Sequence, residues 1–353
     1  MLYFNNDYNE NCHPAVMEQL QAVTGQQFPG YGVDACCENA KSLIRKKCAN
    51  ENAQVHFLVG GTQTNLTVIA AALRPHQAVI AADSGHISVH ETGAIEATGH
   101  KVIALPGKDG KLSPQQVAAF MSNQDGAEPE HMVQPKLVYI SHPTEFGTLY
   151  SRAELEQLRT VCDNYGLYLF LDGARLGYGL TARGTDVTLE DLGSLCDAFY
   201  IGGTKCGAMF GEAVVLTHSQ IAQDFRFLIK QKGGMLAKGW LLGAQFEALL
   251  KNDLYESICR HANAMADQIR QTLAKCNVPL FVDTVTNQVF PVLPDKVLEK
   301  LSANFVYAFW EKYDDTHSVV RFCTSWATKE ENVNALCAAL ESHCLGSPCR
   351  GDH

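Results

Sequence analysis

Between residues 55 and 216 the chain alternates short apolar runs with amphipathic stretches, and no other feature narrows the possible folds as far. Runs over 55–59, 78–82, 102–105, 136–141, 168–172, 198–202 and 212–216 predict buried strands. Helical periodicity over 66–73, 88–98, 114–121 and 152–164 fills most of the gaps, with Ser113-Pro114 as a cap that places proline at the first helical position. Such alternation argues for an α/β fold, a mostly parallel sheet with helices on both faces. Ligands of these sheets sit beyond the carboxyl ends of the strands. The polar clusters Gly60-Gly61-Thr62-Gln63, Asp83-Ser84-Gly85-His86, Thr144-Glu145-Phe146-Gly147 and Asp172-Gly173-Ala174-Arg175 all fall at such ends.

The texture changes later in the chain. Helical patterns run over 221–250, interrupted at Gly233-Gly234, and over 256–275; strands are predicted over 278–292 and 318–324, and a closing helix over 330–344. This divides the chain into a large α/β domain over 1–255, with an N-terminal arm, a smaller α+β domain over 256–345, and a disordered tail over 346–353. The arm reads either as a frayed terminus or as a strap over the site. The tail's Arg350-Gly351-Asp352 reads as a chance tripeptide.

Composition sets the remaining bounds. A net charge of −10 with no basic block argues against a nucleic-acid partner. The start of the chain lacks a basic, apolar leader and no run is long enough to span a membrane, so a cytoplasmic protein with no membrane partner is expected. Thirteen cysteines without a Cys-x-x-Cys pair, several inside apolar patterns such as Cys162, Cys196 and Cys337, predict reduced core thiols and no metal site.

Two strand ends carry the chemistry. The strand over 198–202 empties into Gly202-Gly203-Thr204-Lys205-Cys206-Gly207, where glycines clear space around one lysine. The neighbouring run Tyr168-Leu169-Phe170-Leu171 ends in Asp172, with Arg175 three residues on. A lysine for a Schiff base and a carboxylate to hold the proton on a pyridine nitrogen are what pyridoxal phosphate requires. Gly60-Gly61-Thr62-Gln63 opens a helix, where free N–H groups and the helix dipole suit a phosphate, although capping alone also explains such residues. His86 reads either as a ring stacked on the pyridine face or as a helix cap; His90 lies one turn on, and His142 ends another strand. Arg321, a charge within Val319-Val320-Arg321-Phe322, needs an anionic partner, either an internal carboxylate or that of a substrate.

Taken with Gly85-His86-Ile87 and Glu91, Thr144-Glu145-Phe146-Gly147-Thr148-Leu149-Tyr150, Leu171-Asp172-Gly173-Ala174-Arg175, Gly203-Thr204-Lys205-Cys206-Gly207 and Glu212-Ala213, these segments make the chain resemble the low-specificity threonine aldolases. That group belongs to the β-eliminating lyases, pyridoxal-phosphate enzymes of the aspartate aminotransferase-like fold type I. The resemblance implies that Gly61, Thr62 and Gln63 bind the cofactor phosphate, His86 stacks on its ring, Asp172 holds its nitrogen and Lys205 forms a covalent aldimine. Arg175, also expected among the cofactor-binding residues, and Arg321, with Asn6 where the family often has serine, would bind the substrate carboxylate. It also implies a homodimer or homotetramer whose neighbouring subunit completes the phosphate site. Leu236 replaces the arginine often found after Gly-Gly-Met, which leaves that role to Lys232 or Lys238.

The reaction so implied cleaves the Cα–Cβ bond of a β-hydroxy-α-amino acid such as L-threonine or L-allo-threonine, giving glycine and an aldehyde. The base for the β-hydroxyl stays open among His86, His90, His142 and a water. Pyridoxal-phosphate-dependent β-elimination is the alternative, with ammonia and an oxo acid as its products.

Overall fold

The computed structural model describes residues 1–124 and 128–344. The expected tail, its tripeptide and the middle of the polar loop over 124–135 lie outside the described residues. Strand β1 (Leu2–Tyr3) belongs to the N-terminal arm. The main sheet then collects β2 (Gln54–Leu58), β3 (Gln77–Ala82), β4 (Lys101–Leu105), β5 (Gln134–Ser141), β6 (Tyr168–Asp172), β7 (Ala198–Gly202) and β8 (Glu212–Leu216). Their order is β2-β8-β7-β6-β5-β3-β4; only β8 runs antiparallel to its neighbours, so the sheet is mostly parallel. Every residue of β3, β6, β7 and β8 is buried, which is why these strands read as unbroken apolar runs.

Side-chain alternation feeds two cores. Leu169, Leu171, Phe199 and Ile201 enter the core on one face, and Phe170, Tyr200 and Ala198 enter the core on the other. Cys162 and Cys196 sit as free thiols in the first of these. Helices cover both faces. That over Arg152–Tyr165 begins in a capping box formed by Ser151 and Glu154 and stops at Gly166, whose φ of 62° is left-handed.

Three predicted elements differ from the structure, two of them because the backbone takes positive φ. The helix expected over 88–98 is a four-residue turn, His86–Val89, and a 3-10 turn, Glu96–Thr98, because Thr92 and Gly93 between them take φ of 53° and 70°. The pattern over 221–250 forms three helices, Ser219–Ala222, Phe225–Gln231 and Trp240–Leu250, broken at Asp224 and Gly233 where φ is again positive. The strand expected over 278–292 folds back on itself as β9 (Leu280–Val282) and β10 (Gln288–Pro294).

After β10 come β11 (Phe305–Val306), β12 (Ala308–Lys312) and β13 (His317–Cys323). A four-stranded antiparallel sheet, ordered β12-β13-β10-β9, packs through Val289, Val320 and Phe322 against the helices Leu254–Lys275 and Glu330–Cys344. The arm is no frayed end. β1 pairs in parallel with β11, and Phe4 is buried against Phe305 and Phe322. Three residues on, fully buried Asp7 receives Arg175 Nε at 2.7 Å, Arg175 Nη2 at 3.0 Å and Asn287 Nδ2 at 2.9 Å. The arm thus ties the end of β6 to the start of β10. Among the described residues, no helix is long and apolar enough to cross a membrane.

Both arm contacts can be tested by urea unfolding. Phe4→Ala removes a buried ring and lowers stability by about 3–5 kcal/mol, read as a lower urea midpoint with an unchanged slope. Asp7→Asn strands the buried Arg175 charge and costs about 3–5 kcal/mol by the same measurement. Burial alone would raise the Asp7 carboxyl, but Arg175 and Lys205 bring it down to about 2. A depressed carboxyl stabilises the fold above its unfolded value of 3.8, and that contribution fades as pH falls towards 2. In Asp7→Asn this acid loss is absent.

Candidate active site

The site forms where the parallel strands end. Asp172, the last residue of β6, is buried and collects four donors. Tyr200 Oη, at 2.5 Å, and the Ala174 N–H, at 3.0 Å, reach Oδ1; Tyr139 Oη, at 2.5 Å, and Asn65 Nδ2, at 3.0 Å, reach Oδ2. Burial would push this carboxyl up. His86 and the two tyrosine hydroxyls outweigh it and hold Asp172 below the usual range, hence ionised. The tyrosines stand on β5 and β7, so the three central strands each supply part of one anion site.

Lys205 lies beyond β7 on a loop fixed at both ends. Tyr255 Oη donates to the Gly202 carbonyl at 2.8 Å, and Tyr178 Oη donates to the Lys205 carbonyl at 2.5 Å. A Cβ on Gly202 would come within 2.3 Å of the Ala174 carbonyl, and Gly207 has φ of 94°, so both positions require glycine. The Lys205 amine is lowered by burial and then by Arg175, against the opposing pull of Asp7, Asp172 and Glu212. A neutral amine is the nucleophilic form. Behind the loop, buried Glu212 accepts the Gly203 N–H at 2.9 Å; burial raises its carboxyl to about 7 despite that bond and one from Thr204.

His86 opens the short turn after β3. Its Nδ1 is 2.7 Å from Glu91 Oε1, which Asn65 Nδ2 also reaches at 2.7 Å. Burial depresses this imidazole, but Glu91 and Asp172 raise it above the ordinary value. Glu91, Asn65 and Asp172 thus link the histidine to the carboxylate in one chain of contacts.

A cavity of about 570 Å³ opens over these residues, walled by Tyr8, His86, His90, Glu145, Arg175, Lys205, Phe309, Trp310 and Arg321 among others. Arg175 spends Nε and Nη2 on Asp7, which leaves Nη1. Arg321 donates from Nη1 to Gln288 Oε1 at 3.1 Å and from Nη2 to the Asn5 carbonyl at 2.9 Å, while its buried Nε has no partner among the described residues. Its guanidinium faces the Trp310 ring at 5.9 Å. Trp310 falls at a register shift between Phe309 and Glu311 on β12, and such a bulge re-aims a side chain.

Gly61, Thr62 and Gln63 form the first turn of the helix Gly61–Ala72, whose cap, Gly60, is extended and offers no side-chain bond. Gln63 donates to the Lys232 carbonyl at 3.2 Å, which sets that lysine's backbone beside the turn; Lys238 is exposed. Of the expected residues, Asp172, Gly61, Thr62, Gln63, Asn6 and His142 do not line the cavity wall. Asn6 accepts the Tyr8 N–H at 3.0 Å in a local turn. His142 is fully buried, accepts the Tyr150 N–H at 3.3 Å, and is lowered to about 4 by burial. Sequence reasoning gave no role to Asp7, Glu145, Tyr139, Tyr200 or Trp310. The available signals were a tyrosine inside each of two buried runs and the polar cluster Thr144-Glu145-Phe146-Gly147 at a strand end.

The residues present fit pyridoxal phosphate: a lysine of lowered basicity borders the cavity, and an ionised buried carboxylate and a helix start without a side-chain cap lie at strand ends of the same sheet. Comparison with known proteins agrees. The family model described as beta-eliminating lyase matches residues 10–296. A threonine aldolase of Leishmania major is 44% identical, with 97% of this chain and 99% of that one covered and a TM-score of 0.95. The low specificity L-threonine aldolase of Pseudomonas aeruginosa is 28% identical over 339 residues, 95% of each chain. An aspartate aminotransferase variant of Thermus thermophilus, 15% identical over 97% of this chain and 91% of that one, shares the fold at a TM-score of 0.72. The fold is aspartate aminotransferase-like, dependence on pyridoxal phosphate is implied, and the chain belongs to the beta-eliminating lyase family.

Proposed function

We propose that this lyase cleaves β-hydroxy-α-amino acids of the L-threonine type to glycine and an aldehyde. The observation that carries this reading is one cavity bordered by Lys205, His86 and two arginines. The threonine aldolase relatives support the same choice of bond.

When bound, pyridoxal phosphate supplies an electron sink to the α carbon of an amino acid. Lys205 is the residue to carry it covalently. Asp172, ionised and held by four donors, would keep a proton on the ring nitrogen through a charge-assisted hydrogen bond. His86 would lie against the ring, and the N–H groups of Gly61, Thr62 and Gln63 would bind the phosphate. Arg175, through Nη1, and Arg321 hold the substrate carboxylate, which fixes the Cα bond to be broken. Asn6 lies in the arm, where it accepts the Tyr8 N–H, and does not line the cavity. The domain division near residue 255 belongs to this reading, the cavity lying between the two sheets.

The same reading has the enzyme working in the cytoplasm as a homodimer or homotetramer. Exposed Phe227, Tyr31 and Val33 support self-association, since Arg226 ties Tyr31 to the segment around Met235 that follows Lys232. The lysine that serves the neighbouring phosphate site is then Lys232 or Lys238.

Purified enzyme given L-threonine or L-allo-threonine releases glycine and acetaldehyde; ammonia with an oxo acid instead establishes β-elimination. Lys205→Ala abolishes both the yellow absorbance and the cleavage. Asp172→Asn keeps the colour and lowers kcat by about 10²–10³-fold, read in steady-state assays.

A further inference from the structure

The cleavage needs a base for the β-hydroxyl, and the cavity wall holds one carboxyl group among its described residues, that of Glu145. Glu145 stands on the turn after β5. Its Oε1 accepts Ser141 Oγ at 2.7 Å and the His86 N–H at 2.9 Å. Oε2 takes no hydrogen bond from another described residue. One oxygen is therefore anchored, and it joins the ends of β5 and β3; the other remains for a ligand.

The histidines suit the task less well. His142 is sealed in the interior with Nδ1 already occupied. His86 spends Nδ1 on Glu91. His90 borders the cavity, but burial and the nearby charges of His86 and Arg321 lower it.

We propose that Glu145 is a further catalytic residue, the acceptor of the substrate's β-hydroxyl proton. This rests on aldol cleavage being the reaction. Glu145 Oε2 takes the hydroxyl proton, and the O–H pair becomes the second bond of the aldehyde carbonyl. The Cα–Cβ bond breaks with its pair left on Cα, and the proton taken up balances the one Cα gains as glycine forms. Burial and repulsion from Asp172 raise the carboxyl above its ordinary value, against Ser141, its own backbone N–H and His86, which strengthens it as a base. The groups facing it are Ser141 and Tyr139 on β5, Tyr150 after β5, His86 and His90 after β3, Asp172 at the end of β6, Arg175 after it, Lys205 after β7, and Arg321 on β13.

Glu145→Gln tests this in the holoenzyme, since a glutamine carbonyl still accepts from Ser141 and His86. Two reactions are compared: cleavage of L-threonine, and exchange of the α-proton of glycine, which has no β-hydroxyl. Glu145→Gln keeps the yellow absorbance and the glycine exchange, loses about 10²-fold or more in cleavage, and loses the acid limb of the kcat profile. That limb lies above the ordinary carboxylate range in the wild type, with activity falling as pH drops through it. Unchanged cleavage overturns the proposal; so does an equal fall in both reactions, which marks a structural role. Selective loss of cleavage in His90→Asn with none in Glu145→Gln assigns the base to His90 and also overturns it. A wild type that cannot cleave threonine defeats the aldolase reading itself.

Discussion

The structure depends on keeping one carboxylate ionised inside a dry sheet. Transfer of an unpaired charge into such an interior is expensive enough that the group would normally take up a proton. Asp172 avoids this because four donors and a cationic-leaning imidazole surround it. Those donors come from the helix after β2 and from β5, β7 and the turn after β6, so the arrangement exists only when the parallel register is correct. The main sheet therefore serves the site directly, and a shift of one residue in β5 or β7 would turn a tyrosine to the other core.

A second buried charge pair determines how the cavity closes. Asp7 and Arg175 hold the arm against β6, and Asn287 extends that contact to the start of β10. Asn5 then accepts from Arg321 on β13. The arginines that face the cavity are thus aimed by the arm and by Gln288 and Trp310 of the smaller sheet. Both are consequently semi-committed: each retains donors for a ligand while its position is set by protein partners. Such preorganisation lowers the cost of orienting a bound carboxylate.

Much of this was legible in the sequence for identifiable reasons. Strands buried on both faces leave unbroken apolar runs, and the polar residues that end them, Asp172 and Lys205 above all, stand out against that background. Local breaks were harder to read: Thr92 and Asp224 interrupt apolar periodicity through positive φ, and 283–287 separates two strands where one run was expected. Asp7 was not legible, and Glu145 only as part of a polar cluster at a strand end, because their contacts reach across 168 and 59 residues of sequence. β12 was missed because Glu311 and Lys312 mask an edge strand, and its bulge places Trp310 where no alternation pattern would.

The ionised state of Asp172 is the central claim, and nitrogen NMR of the holoenzyme loaded with ring-labelled pyridoxal phosphate measures its consequence directly. The account predicts a protonated ring nitrogen in the wild type throughout the pH range in which the protein is folded, and its loss in Asp172→Asn. An unprotonated nitrogen in the wild type would contradict it.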